Sequence, residues 1–584
     1  MLKTLSKSIR EYKRPAIITP ILVFIEVIIE CIIPMVIAEL VNKLQADDGM
    51  KMEDILLYGA GVVVLAILSL TFGGLAGITC STASCGFAKN LRHDVFVATQ
   101  KFSFENIDRF SASSLVTRLT TDINNVKTSY MMIIRTAIRA PFMMAFAIAM
   151  AFIMGGSMAW IFAVVVPLLG GVLLAITRTV MPLFKKVFKK YDRLNASIQE
   201  NVKGIRVVKS FVREDYEEEK FGAASGDVAK DFTKADRILA IQNPTMQLCL
   251  NIVMVFVLSF GSYMVVSTGG EALNVGHLSA LLTYGFMILS SLMMLSMIFV
   301  MIIISIESAR RICEVLREEP ALTNPEDPVY TVADGSIDFD GVSFKYSKGA
   351  ERYVLKDIDL HIASGETIGI ISGTGASKTT LIQLISRLYD VTEGAVKVGG
   401  LDVRRYDLDT LRNQVAVVLQ KNLLFSGTIA ENLRWGNPDA TEDELREAAR
   451  LSAADEFIES FPDKYETYIE QGGANVSGGQ KQRLCIARAL LKRPKILILD
   501  DSTSAVDTKT DARIRAAMRE YIPDTTKIII AQRISSVEDA DRIIVLDNGV
   551  IENVGTHTEL LQKSPIYREI YTSQNKAGTE EVAE

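Results

Sequence analysis

The sequence predicts a membrane all-α domain of six transmembrane helices with long cytoplasmic extensions, fused to a C-terminal α/β domain built on a phosphate-binding loop. Three observations carry that reading. Hydrophobic residues make up 49% of the 584 and concentrate before about residue 305. The remainder alternates short β-type runs with helical stretches, the signature of a largely parallel sheet. Within it, SGTGASKTT (372–380) lies between a strand-like run and a helical one.

A helix rising about 1.5 Å per residue needs about 20 apolar residues to cross a hydrocarbon layer ~30 Å thick. Stretches near 17–42, 55–80, 130–155, 158–180, 246–268 and 278–304 qualify, among them AIITPILVFIEVIIECIIPMVIAELV (16–41). An even number of crossings puts both termini on one side. Lys and Arg are retained in the cytoplasm, and MLKTLSKSIREYKR is rich in both. By contrast KLQADDGMKMED (43–54) is mixed and acidic, GGS (155–157) is uncharged, and GGEALNVG (269–276) carries only Glu271. Both termini and the soluble domain are therefore expected inside the cell, in a multi-pass plasma-membrane protein. No cleavable signal pattern precedes the first span.

The inner connections, roughly 81–129 and 181–245, place apolar residues at three- and four-residue spacing among charges, as amphipathic helices do. They read as extensions of the spans into the cytoplasm. Within the membrane, Glu26 and Glu30 lie one turn apart on one helix face, and ionisable groups there are costly enough to suggest function. They are candidates to line a cavity for cationic amphiphiles, with pairing to a neighbouring helix as the alternative. Met294 and Met297, with Met287, Met293 and Met301, form a candidate adaptable surface for irregular ligands, or ordinary packing. Arg135 and Arg139 are read as interfacial side chains that snorkel. The six cysteines fall in spans or cytoplasmic regions, where a disulfide framework is not expected. The net charge is −6 and no nucleic-acid partner is expected.

Domain 1–320 ends in ESARRICEVLREEP (307–320). A linker with two prolines and a glycine follows (321–335), then a nucleotide-binding domain (336–575) and a polar tail (576–584). Strand-like ETIGIIS (366–372) leads into the loop, and TTLIQLISRLY (379–389) opens a helix, the order that a phosphate loop requires. Backbone N–H groups across Ser372, Gly373, Thr374, Gly375, Ala376 and Ser377, with the helix start at Lys378, Thr379 and Thr380, supply an anion site. Lys378 reaches the β and γ phosphates, and Thr379 ligates Mg²⁺. Ser372 and Ser377 stand where glycine is usual, so a positive φ at Ser377 costs about 1–2 kcal/mol. In KILILDD (495–501) a buried strand delivers Asp500 to the same Mg²⁺. NVSGGQKQR (475–483) precedes a helix and offers a serine hydroxyl and N–H groups, again suited to phosphate.

Together these motifs resemble the ATP-binding cassette family, in order: an aromatic adenine loop (FKY, Tyr346), the phosphate loop, a glutamine loop (VLQKNLLFSGTIAENL, with Gln420 toward Mg²⁺), the signature VSGGQ (Ser477, Gly478, Gly479, Gln480), Walker B (ILILD, Asp500) and a D-loop (SAVD, Asp507). GIRVVKSF and LVTRLTTD resemble intracellular helices of the exporter subclass. The resemblance implies ATP and Mg²⁺ as cofactors, a lipid bilayer, a small lipophilic substrate, and a dimer in which each ATP lies between one phosphate loop and the other chain's signature. Loop tips near 104–118 and 201–214 would transmit cassette closure.

Two catalytic positions depart from the family. Asp501 replaces the glutamate that polarises water, and Gln532 replaces the switch histidine in IIIAQR. The shorter side chain displaces a carboxylate by about an ångström, which can cost on the order of 10²-fold. The amide lacks the charge that an imidazolium offers. With the signature intact, the pattern resembles the degenerate subunit of a heterodimeric bacterial multidrug-type exporter. The alternatives are a homodimer with slow ATPase, and a membrane-tethered nucleotide-binding regulator.

Overall fold

In hydrocarbon only a helix satisfies its own backbone hydrogen bonds within one segment, so long apolar runs fold as helices. The computed structural model describes residues 1–45, 51–347, 349–373, 377–502 and 506–580. It divides into two compact units, Met1–Lys101 with Ser111–Glu318, and Phe102–Phe110 with Glu319–Glu584.

The first unit is helical, with Lys13–Gln45, Met52–Gln100, Thr136–Gly155, Trp160–Ser210, Gln242–Ser267 and Val275–Arg317 as its long apolar helices. Among the described residues, five runs are long and apolar enough to cross a membrane, where six spans were expected. The expected third and fourth spans share one 72-residue run, Ala112–Leu183. Between them Gly156, at φ +47°, ends one helix, and the single 3-10 turn Gly156–Ala159 leads into the next. At 49 and 51 residues, Met52–Gln100 and Trp160–Ser210 are more than twice as long as a bilayer crossing needs, long enough for the expected extensions. After Ser210 the chain turns back into Glu214–Ala240, leaving Phe211 and Val212 at the tip 72% and 81% exposed.

Close packing ties the last span to the first. The Gly276 N–H donates to Asn42 Oδ1 at 2.8 Å, and a Cβ there would fall 2.1 Å from the Ala38 carbonyl oxygen. The buried Tyr284 hydroxyl donates to the Cys31 carbonyl at 2.8 Å.

In the second unit a six-stranded sheet runs Val550–Gly555, Arg542–Asp547, Thr367–Ser372, Thr526–Ile530, Ile496–Asp500, Val415–Val418. All neighbours are parallel except the first pair. Ile496–Asp500 and Thr526–Ile530 are buried at every residue, as strands covered on both faces must be. A second, antiparallel sheet pairs Leu355–Ile362, Ile337–Phe344, Glu393–Val398 and Leu401–Asp402. The sequence reading passed over Leu355–Ile362 and Val550–Gly555, whose alternating burial marks sheets with one wet face.

Phe102–Phe110 belongs to this second unit. Asn106 Oδ1 accepts from the Ala321 N–H at 3.0 Å, and its Nδ2 donates to the Glu319 carbonyl at 3.1 Å. The Tyr389 hydroxyl donates to Asp108 at 2.6 Å. The expected 104–118 tip is broken at Ser111, φ +56°, whose hydroxyl caps the following helix Ala112–Thr117.

Candidate nucleotide site

The parallel strands end along one sheet edge, where ligands bind in such folds. Thr367–Ser372 delivers the phosphate loop there, and Ile496–Asp500 delivers Asp500 two strands away. Thr374, Gly375 and Ala376 lie outside the described residues. Ser377 takes φ +63° and ψ +17°, the left-handed conformation that its place in the motif called for. The helix Lys378–Ile385 starts immediately after it.

The Lys378 ammonium donates to Ser372 Oγ at 2.7 Å and to the Ser372 carbonyl at 3.3 Å. Burial holds this lysine below its ordinary range, against the pull of Asp500 and Asp501. Thr380 Oγ1 lies 2.8 Å from the Tyr346 hydroxyl, which also donates to Gln383 at 3.3 Å. The Tyr346 ring meets Tyr389 edge-on at 5.2 Å and stays 42% exposed, leaving area for an adenine.

The Thr379 hydroxyl donates to Asp500 Oδ2 at 3.0 Å. Asp500 is 4% exposed, and burial pushes its carboxyl above the usual carboxylate range. A buried carboxylate whose ionised form is disfavoured, beside a hydroxyl, fits a hard oxygen-seeking cation such as Mg²⁺. The side-chain amide of Gln420, expected as a further ligand, donates to Asp501 Oδ2 at 3.3 Å.

Asp501 thereby becomes a junction. At φ +48°, it accepts at the same Oδ2 from Gln532 Nε2 at 2.8 Å. Its own N–H is fixed by the Ile530 carbonyl at 2.9 Å. The structure thus brings the two departing residues into direct contact. Sequence reasoning missed Gln574, which bonds the backbone around Gln532 from the C-terminal helix. No motif flags that residue.

At the signature, Ser477 Oγ accepts from the Gln480 N–H at 3.3 Å, and Gln480 Oε1 accepts from the Ser477 N–H at 2.9 Å. This reciprocal cap starts the helix Gly478–Leu491, with Ser477 and Gly478 exposed and Gly479 half-buried. Arg483 of that helix stacks over Phe457, 4.8 Å from the ring centre. Asp507 caps Thr508–Tyr521 by accepting from the Thr510 N–H at 2.9 Å, a bond that holds its carboxyl below the usual range.

In the membrane unit the candidate substrate residues separate. Arg139 donates to Glu26 at 2.6 Å and to both oxygens of Glu30 at 2.8 Å. The snorkelling read for Arg139 is corrected: two carboxylates in hydrocarbon draw the guanidinium inward instead. Gly73 leaves room for this, because a Cβ there would lie 2.7 Å from Glu26 Oε1. Met294 and Met297 are 45% and 61% exposed and take no part in that cluster.

Residues 16–293 match the ABC transporter transmembrane region, and residues 355–504 match the ABC transporter family. An uncharacterized ABC transporter ATP-binding protein of Mycobacterium tuberculosis (strain CDC 1551 / Oshkosh) is 37% identical over 587 residues, covering 99% of each chain. This chain belongs to the ABC transporter family. A fatty acid ABC transporter ATP-binding/permease protein of the same strain is 35% identical, over 82% of this chain and 75% of that one. A bacterial Atm1-family ABC exporter solved with ATP bound superimposes with a TM-score of 0.82 at 25% identity, covering 97% of this chain and 98% of that one. The protein is an ABC exporter, with a helical membrane domain fused to an α/β ATPase domain.

Proposed function

We propose that this ABC exporter chain is the degenerate-site subunit of a heterodimer. Its own phosphate loop holds ATP with slow turnover, and its signature completes the hydrolytic site of a second, different half-transporter. The observation that carries this is Asp501: a carboxylate one methylene shorter than glutamate, bonded to two glutamine amides. A group occupied by two donors, and set back by about an ångström, is poorly placed to take a proton from water.

ATP would lie with its adenine on Tyr346 and its phosphates over the loop from Ser372 to Thr380. Lys378 would leave Ser372 for the β and γ phosphates, and Gln532 would donate to the γ-phosphate. Thr379 and Asp500 would hold Mg²⁺, which would supply neutralisation of the phosphate charge. Ser477 to Gln480 and Asp507, on exposed helix starts, would face the partner's nucleotide. The exposed apolar tip at Phe211 and Val212 supports a second chain, because nothing of its own unit covers it.

The transported compounds are read as lipophilic or amphiphilic, moved out of the cytoplasm or the inner leaflet. The fatty acid transporter among the relatives favours a lipid-like body. Met294 and Met297 remain the candidate contacts for it, whereas Glu26 and Glu30 with Arg139 read better as a pin between spans. Both termini and the cassette lie in the cytoplasm under this reading.

The test is ATPase activity of the purified chain alone and together with a second cassette chain encoded beside it. Stimulation by the pair, lost when Ser477 is replaced by Arg, is expected. Equal rates for the chain alone and the pair would sink the heterodimer.

A further inference from the structure

We infer that Gln574 is a positioning residue for this nucleotide site: it fixes the backbone that aims Gln532, and so sets the preference for ATP over ADP. The inference rests on the reading above that Gln532 addresses the γ-phosphate.

The strand Thr526–Ile530 ends just before Gln532. The Ala531 N–H still reaches the Ile370 carbonyl of the neighbouring strand at 3.3 Å, and the 3-10 turn Ile534–Ser536 begins three residues later. Between these points the chain leaves the sheet. The amide of Gln574 takes over there: its Nε2 donates to the Gln532 carbonyl at 2.8 Å, and its Oε1 accepts from the Ile534 N–H at 3.0 Å. One primary amide thus pairs with an acceptor and a donor two residues apart, as the backbone of an adjoining strand would.

The helix that carries it is well anchored. In Pro565–Glu580, Tyr567 is fully buried and its hydroxyl lies 2.7 Å from His557 Nδ1. Ile570 and Tyr571 pack on the same core. Gln574 follows Tyr567 by seven residues, two turns along the same helix face. Beyond the anchored backbone, the Gln532 side chain points to Asp501 Oδ2 at 2.8 Å. A carboxylate acceptor there marks the direction in which a phosphate oxygen would compete for the same N–H group.

The experiment compares equilibrium binding of Mg-ATP and Mg-ADP to the full-length chain in detergent, for Gln574→Ala, Gln574→Glu, Gln532→Ala and the Gln532→Ala/Gln574→Ala pair. Gln574→Glu keeps an acceptor for Ile534 but sets a carboxylate against the Gln532 carbonyl. Both Gln574 variants are expected to weaken ATP about three- to tenfold, the size of one neutral hydrogen bond, with ADP unchanged. The pair should lose no more than Gln532→Ala alone. Faster hydrogen exchange at the Ile534 amide in Gln574→Ala, without nucleotide, would support the clamp independently. Equal weakening of ATP and ADP, or no change in either, overturns it. If Gln532→Ala shifts the ATP/ADP ratio and the Gln574 variants do not, the clamp alone falls. If Gln532→Ala leaves that ratio unchanged, the γ-phosphate reading falls first and the clamp with it.

Discussion

Lys378, Thr379 and Asp500 share a sheet edge with Gln420, Asp501 and Gln532, yet the two groups are built differently. The first is anchored in the buried sheet: Asp500 is 4% exposed, bonded to Thr379, and its strand is covered on both faces. The second hangs from strand ends, with Gln420 and Gln532 exposed and each tied through its side chain to Asp501. Under the proposed reading, the buried residues would fix where phosphate and cation sit, while loops outside the sheet would decide how water is handled. On that proposal a site could keep its hold on nucleotide while losing hydrolysis, because the two tasks would rest on different parts of the fold.

The sharpest way to break this comparison is to repair only the exposed half. Asp501→Glu with Gln532→His should raise turnover at this site by on the order of 10²-fold, read as phosphate release with the partner's own site disabled. An unchanged rate would place the defect in the phosphate loop instead. Damage to the buried half should act on binding. Lys378→Ala removes charge-assisted hydrogen bonds of about 1.5–3 kcal/mol each, so ATP affinity should drop roughly 10- to 100-fold by calorimetric titration. A loss under about threefold would mean that this lysine serves Ser372 rather than phosphate.

Ser377→Gly is a subtler probe of the same half. Relief of the left-handed backbone, about 1–2 kcal/mol, is offset by glycine's chain entropy of about 0.5–1 kcal/mol. A net gain near 1 kcal/mol should raise the cassette's thermal midpoint slightly, and a fall would show that the serine hydroxyl holds the loop. The smallest effect concerns pH. Because burial raises the Asp500 pKa, its proton competes with Mg²⁺ at a higher pH than at an exposed aspartate. Mg²⁺-dependent ATP binding should weaken a few-fold as pH falls through that raised value and recover above it. Asp500→Asn should abolish that dependence, and an identical profile in the variant would move the titrating group elsewhere.

Much of this was legible in the sequence because it is local. The phosphate loop announces itself through a strand, a lysine and a helix within about 25 residues, and the motif's glycine positions foretold the backbone of Ser377. The all-buried strand around Asp500 shows as an uninterrupted run of Ile and Leu. What escaped was pairing across distance. Arg139 lies 109 residues from Glu30, and Gln574 lies 42 from Gln532. No periodicity in either segment encodes the other. The alternating LKDIDLHI run carries a readable strand signal, with Leu355, Ile358, Leu360 and Ile362 as its buried face.

The cluster of Glu26, Glu30 and Arg139 also constrains how the protein comes into being. Ribosomes deliver the first span well before residue 139 exists, so two carboxylates must wait at the membrane for the arginine that pairs with both. Until the third span arrives, unpaired carboxylates in the first oppose its free partition into lipid. Release of the first three spans to the bilayer as a group is the expected consequence, and a mutation at Arg139 should show itself as a defect of biogenesis before it shows itself as a defect of transport.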